Sequence, residues 1–235
     1  MTPVEILTEL SQGHERLPRQ ALEAALAQRS EIAPLLLENL SQTVAELKAL
    51  TSPGGYEIRK LKRFLKKPSP LFFGVFLLAD WRETAAYRPF ARLMRFPFVS
   101  HDNLLGEPAV EEPVYRIMAR LFDGDPQPIF DIVLDDDAID SARFWQFSAL
   151  TLIGLEGRLD RKVLREFARR AFERLPRDPD EWLIWSGWEK LIAQLALRDL
   201  APLVRQAHQA DLLLKSEYED FERDLAYAES HPKAP

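Results

Sequence analysis

Helical stretches recur along this chain, each opened by a proline or a capping side chain and closed by a short polar break. They include 18–28, 70–83, 108–122, 141–157, 160–175 and 180–197. Apolar residues follow the 3.6-residue period in these stretches, while period-two alternation is nearly absent. No Asn-Gly or Asp-Gly turn joins two alternating runs. The pattern predicts an all-α protein, an α-α superhelix or HEAT-like solenoid of stacked antiparallel helix pairs. Such a fold presents surfaces more readily than it encloses a pocket. No connection exceeds about a dozen residues, so residues 1–235 read as a single helical-repeat domain, with a short flexible tail at 230–235.

Local signals place several boundaries. Thr2-Pro3 reads as an N-cap followed by proline at the first helical position, and Ser69-Pro70 reads the same way. Pro34 is assigned to the first turn of a helix that continues through Leu36, Leu40, Val44, Leu47 and Leu50, with a join at Ser41. Thr51-Ser-Pro-Gly-Gly55 is the strongest turn signal. The segment 71–83 is apolar almost all round, so neighbours should bury it on several sides.

Composition excludes whole classes of function. The hydrophobic share of 46% and a net charge of only −6 exclude disorder by composition. A pI near 5.4 argues against a general nucleic-acid binder. The chain has no cysteine, which rules out disulfides, thiolate metal sites and cysteine nucleophiles, and fits a reducing compartment. The N-terminus lacks a basic n-region, and the longest apolar run, 71–79, is too short to span a bilayer. The expectation is a cytoplasmic protein without a membrane span.

Candidate chemistry is sparse. His14, His101, His208 and His231 have no shared-metal spacing, and no P-loop, GxGxxG or GxSxG occurs. No metal, cofactor or catalytic residue is therefore assigned. His101-Asp102 is the pair to weigh for acid–base work, with Glu83 or Glu107 beside it, but no nucleophile accompanies it. The aspartates between Asp123 and Asp140 lack calcium-loop spacing and read as caps. Trp182, Trp185 and Trp188 recur every three residues on one side of a helix, as a core seam or a recognition groove. Gly187 among them allows a close helix approach.

Arg59, Lys60, Lys62, Arg63, Lys66 and Lys67 form the densest charge cluster, interleaved with Leu61, Phe64 and Leu65. On a helix this gives an amphipathic segment with a strongly positive face. It reads as a solvated face, or as a site for an acidic protein, a phosphate backbone or an acidic membrane surface. Tyr87, Arg88 and Arg92 are further candidate anchors, because aromatics and arginines mix there. A protein-interaction scaffold with an unknown partner is the leading reading. An enzyme near His101/Asp102 and a nucleic-acid or acidic-surface binder are the alternatives, nucleic acid being disfavoured by the overall charge.

Four stretches, 17–40, 77–97, 104–129 and 143–161, resemble a bacterial family known as domain of unknown function 1186. The most specific pieces are Leu17-Pro18, Leu78-Ala-Asp-Trp-Arg82 and Gly124-Asp125 after a helix. The resemblance implies an all-helical HEAT-like fold and no established activity, so no catalytic residue is carried over. Longer relatives often end in a cysteine-rich SEC-C zinc motif. This chain has no cysteine to match it, so neither zinc nor that motif's partner is carried over.

Overall fold

The computed structural model describes residues 1–12, 16–52, 55–96, 113–213 and 218–231. Among them are thirteen α-helices and one antiparallel ladder of two-residue strands, so the fold is all-α. The chain divides into two compact units, Met1–Asp123 and Gly124–Pro235.

The first unit carries α1 (Pro3–Leu10), α2 (Arg19–Ala27), α3 (Arg29–Ala49), α4 (Ile58–Leu65), α5 (Leu71–Asp80), α6 (Tyr87–Met94) and α7 (Pro113–Leu121). Strands β1 (Thr51–Ser52) and β2 (Gly55–Tyr56) form the ladder at the expected turn, between α3 and α4. Thr2 caps α1: its hydroxyl accepts from the Glu5 N–H, and the Glu5 carboxylate accepts from the Thr2 N–H at 2.8 Å. Helix α3 begins at Arg29, so Pro34 lies inside the helix rather than in its first turn. A proline there removes one backbone bond, at a cost of about 3 kcal/mol. Burial of Ile32, Leu36, Leu40 and Leu47 outweighs it, at roughly 1.5–3 kcal/mol for each side chain. The same apolar stripe carries α3 through Ser41 without a join.

Helix α5 begins at Leu71, one residue later than the sequence pattern suggests, and the Ser69 hydroxyl accepts from the Leu71 N–H at 3.2 Å. Seven of its ten residues are buried. Its C-terminal carbonyls are held by two arginines from elsewhere in the unit. Arg120 donates to Ala79 and Arg29 to Trp81, at 3.1 and 2.9 Å. The Leu78–Arg82 motif is therefore a helix-ending device, with Arg82 itself at φ +53°. Helix α3 packs on α5, and α5 packs on α7.

The second unit carries α8 (Gln127–Val133), α9 (Asp140–Leu155), α10 (Arg161–Arg174), α11 (Trp182–Gln194), α12 (Ala201–Gln209) and α13 (Tyr218–Ser230). Helix α9 packs closely on α11, and α11 on α13. A Cβ added at Gly187 would sit 3.0 and 3.1 Å from the rings of Phe147 and Phe144 and 3.3 Å from the Phe144 carbonyl. Glycine at this position is what lets α9 and α11 approach. Three helices of this unit close alike: after a left-handed residue (Gly157, Ala196 or Asp211), the next N–H reaches back to the carbonyls of Ile153, Ile192 and Ala207.

Candidate interaction surface

Helix α4 is held to the first unit by Leu61, the one buried residue it has. Phe64 and Leu65 are half-buried beside it, and the Glu57 N–H at its start donates to the Leu50 carbonyl at 3.1 Å. The opposite side is charged, and all six sequence-nominated cations on it are exposed. They divide into two groups. Lys60 pairs with Glu57 at 2.7 Å, and Lys67 pairs with Glu46 of α3 at 3.0 Å. Lys60, Arg63 and Lys67 share a shallow pocket of about 260 Å³ with Phe64, Leu50 and Glu46.

Arg59, Lys62, Arg63 and Lys66 have no ion pair among the described residues. Their spacing is i, i+3, i+4, i+7. By helix geometry this makes one stripe, within an arc of about 100° and about 10 Å long. Lys62, Arg63 and Lys66 lie near the helix C-terminus, where the macrodipole favours cations. Arg59 lies in the first turn, where it does not. Four like-charged pairs at i,i+3 or i,i+4 each cost a few tenths of a kcal/mol at low salt. The stripe is thus a solvated face that no described residue of this unit compensates.

Several arginines elsewhere are engaged. In the second unit, Arg165 and Arg169 both hold Asp199, at 3.2 and 2.9 Å. Arg198 clasps Glu222 and Glu229 of α13 and keeps both carboxyls below their usual range; the Tyr218 hydroxyl, 2.6 Å from Glu222, lowers that one most. Arg143 is fully buried yet satisfied: it donates to the Val133 carbonyl at 2.9 Å and faces Asp136 at 3.4 Å and Glu181 at 3.9 Å. Burial and the nearby Asp140 raise the Glu181 carboxyl above its usual range, against the pull of Arg143. The arrangement neutralises a buried guanidinium.

The other sequence candidates separate. Tyr87 is not on the surface: its exposure is 0%, and its ring meets Phe122 edge-on at 5.6 Å. The spacing of Tyr87, Phe90, Ala91 and Met94 is the buried face of α6, a signal already present in the sequence. Arg88 is exposed and pairs with Asp123 at 3.1 Å. Arg92 is exposed and has no ion pair among the described residues. His101, Asp102 and Glu107 lie outside the described residues, and Glu83 is half-buried ahead of a short 3-10 turn. No group of three metal-capable side chains occurs among the described residues.

The tryptophans form a seam. Trp185 and Trp188 are 0% exposed, their rings 5.4 Å apart edge to face. Each indole N–H is satisfied: Trp185 donates to the Pro176 carbonyl and Trp188 to that of Ala168, both at 2.8 Å. Trp182 remains partly exposed at the helix start. His208 is half-buried against the buried Glu189, at 2.8 Å. Sequence reasoning missed Glu46 and Glu57, the carboxylates that divide the cations of α4. Glu57 was legible at i−3 from Lys60; Glu46 was not, because it arrives by tertiary packing.

No described helix is long and apolar enough to cross a membrane. No solved structure gives a significant match. An uncharacterized protein of Chlamydia muridarum (strain MoPn / Nigg) is 24% identical over 221 residues, covering 90% of this chain and 79% of the relative. A second, from Chlamydia trachomatis serovar D, is 23% identical over 197 residues, covering 81% and 68%. The family described as Protein of unknown function (DUF1186) matches residues 1–229, and the chain belongs to that family.

Proposed function

We propose that this protein is a cytoplasmic, non-catalytic interaction module that docks an acidic partner protein along α4. The observation that carries this is the stripe of Arg59, Lys62, Arg63 and Lys66, four exposed cations on one face of a short helix with no ion pair among the described residues. Charges left in water cost the fold little, and they acquire a role when a complementary surface covers them. Charge balance favours a protein partner over nucleic acid. Residues 1–123 hold 16 Lys and Arg against 15 Asp and Glu, and residues 124–235 hold 15 against 22. A single stripe on such a chain lacks the broad positive field that phosphate-backbone binding needs.

The scaffold proposed is HEAT-like, with helices in stacked antiparallel pairs. Its support is the row of alternate helices in each unit, α3–α5–α7 and α9–α11–α13, in which each packs on the next. The test is site-specific photo-crosslinking in the native host from positions 62 and 66, with position 173 on α10 as control. Crosslinks to an acidic protein from 62 and 66 alone support the reading. Crosslinks no more frequent than at 173 refute it, and crosslinks to RNA or DNA move the stripe to the alternative class.

A further inference from the structure

A second groove of the first unit has no part in the α4 stripe. It is an open cleft of about 1100 Å³ between α1 and the start of α2. Three of the six exposed large apolar side chains among the described residues line it: Val4 at 74%, Leu17 at 56% and Met1 at 41%. Its two sides carry opposite charge. Glu5 and Glu9 come from α1, and Arg16 and Arg19 from the approach to α2. Glu5 is already occupied in capping α1. Glu9, Arg16 and Arg19 have no ion pair among the described residues, although they line the same cleft.

We propose that this groove is the interface of a two-fold dimer, and that its occupant is the same groove of a second copy of this chain. An isologous contact requires a surface complementary to itself. Here a two-fold axis would bring the acidic side of one copy against the basic side of the other, twice. The exposed apolar residues between the charges would then pack on their own equivalents and leave water. That is the anatomy of a small interface, an apolar centre with a charged rim. A partner of one charge sign would satisfy one side of the groove and oppose the other.

Sedimentation velocity on the full chain, from about 1 to about 200 µM, covers the range in which small interfaces assemble. Wild type should show a monomer–dimer equilibrium. Val4→Glu with Leu17→Glu should weaken it at least tenfold while the circular dichroism melt is unchanged, because both side chains are exposed. Glu9→Arg alone, and Arg16→Glu with Arg19→Glu alone, should each weaken self-association. An equimolar mixture of those two variants should restore the dimer, since both charge contacts are then complementary. A wild type that stays monomeric throughout overturns the proposal. So does a Val4/Leu17 variant that assembles like wild type, or a mixture that is no better than its components.

Discussion

Helices α4 and α11 carry the most conspicuous side chains in this sequence, and the structure treats them in opposite ways. Helix α11 turns Trp185 and Trp188 wholly inward and gives each indole N–H a carbonyl acceptor. Helix α4 buries one leucine and leaves four cations facing water with no ion pair among the described residues. Both features repeat at helical spacing, so periodicity alone does not separate them. What separates them is whether the polar parts are satisfied within the fold. A tryptophan whose N–H is bonded inside the protein has no need of a partner. A stripe of like charges that gains nothing from the fold is available to one.

The sharpest way to break this contrast is to truncate the seam. Trp185→Ala should cost about 3–5 kcal/mol, as large core truncations do, read as a drop in the urea midpoint. An unchanged midpoint would make the seam dispensable and reopen α11 as a binding groove. Gly187→Ala sharpens the same point. The added methyl gains about 1 kcal/mol of helix propensity, but it meets two phenylalanine rings and a backbone oxygen, and overpacking costs about 1–3 kcal/mol. A net loss is expected, and a net gain would mean that α9 and α11 are loosely packed.

The two ends of α11 give smaller effects. Ala196 follows the helix at φ +53°, a conformation that costs a residue with a Cβ about 1 kcal/mol. Ala196→Gly should therefore stabilise by about that amount, read as a rise in melting temperature. At the other end, the raised Glu181 carboxyl means that the folded state holds its proton more tightly than the unfolded chain does. Its contribution to stability is then present at low pH and declines as pH rises from the ordinary carboxylate range through the raised value. Glu181→Gln should remove that decline, so its advantage over wild type in urea melts should grow from pH 4 to pH 7.5. An advantage that shrinks with pH would show that Glu181 is held as a favourable partner of Arg143.

Much of the fold was legible. The Thr2-Pro3 cap and the helical periods of α3 and α5 are written in local sequence, because caps and amphipathic faces act over a few residues. Pro34 misled because a proline signal is local, whereas the burial that overrides it belongs to the whole of α3. The closures at Arg82, Ala196 and Asp211 were invisible because the left-handed residue there is not glycine. At the candidate site, the cluster 59–67 was plain in the sequence, but its division into compensated and free cations was not. That division depends on Glu46, which is 21 residues from Lys67 and reaches it through packing of α4 on the end of α3. Tyr87 was placed outside because its neighbours are arginines, although the spacing to Phe90, Ala91 and Met94 already marked a buried face.

The smallest expected effect on stability comes from the stripe itself. Replacing Arg59, Lys62, Arg63 and Lys66 with Gln should leave the melting temperature unchanged or slightly raised, since it removes only mutual repulsion between exposed charges. Its effect on binding should be large, and this contrast is the most direct test of the account. With the crosslinked acidic partner in hand, the association rate is measured for wild type and for the quadruple variant across a range of salt concentrations. The account predicts a wild-type rate that falls steeply with salt, and a variant rate that is slower at low salt and nearly flat. Equal rates and equal salt dependence for the two proteins would contradict it, and α4 would then be a solvated helix face with no part in docking.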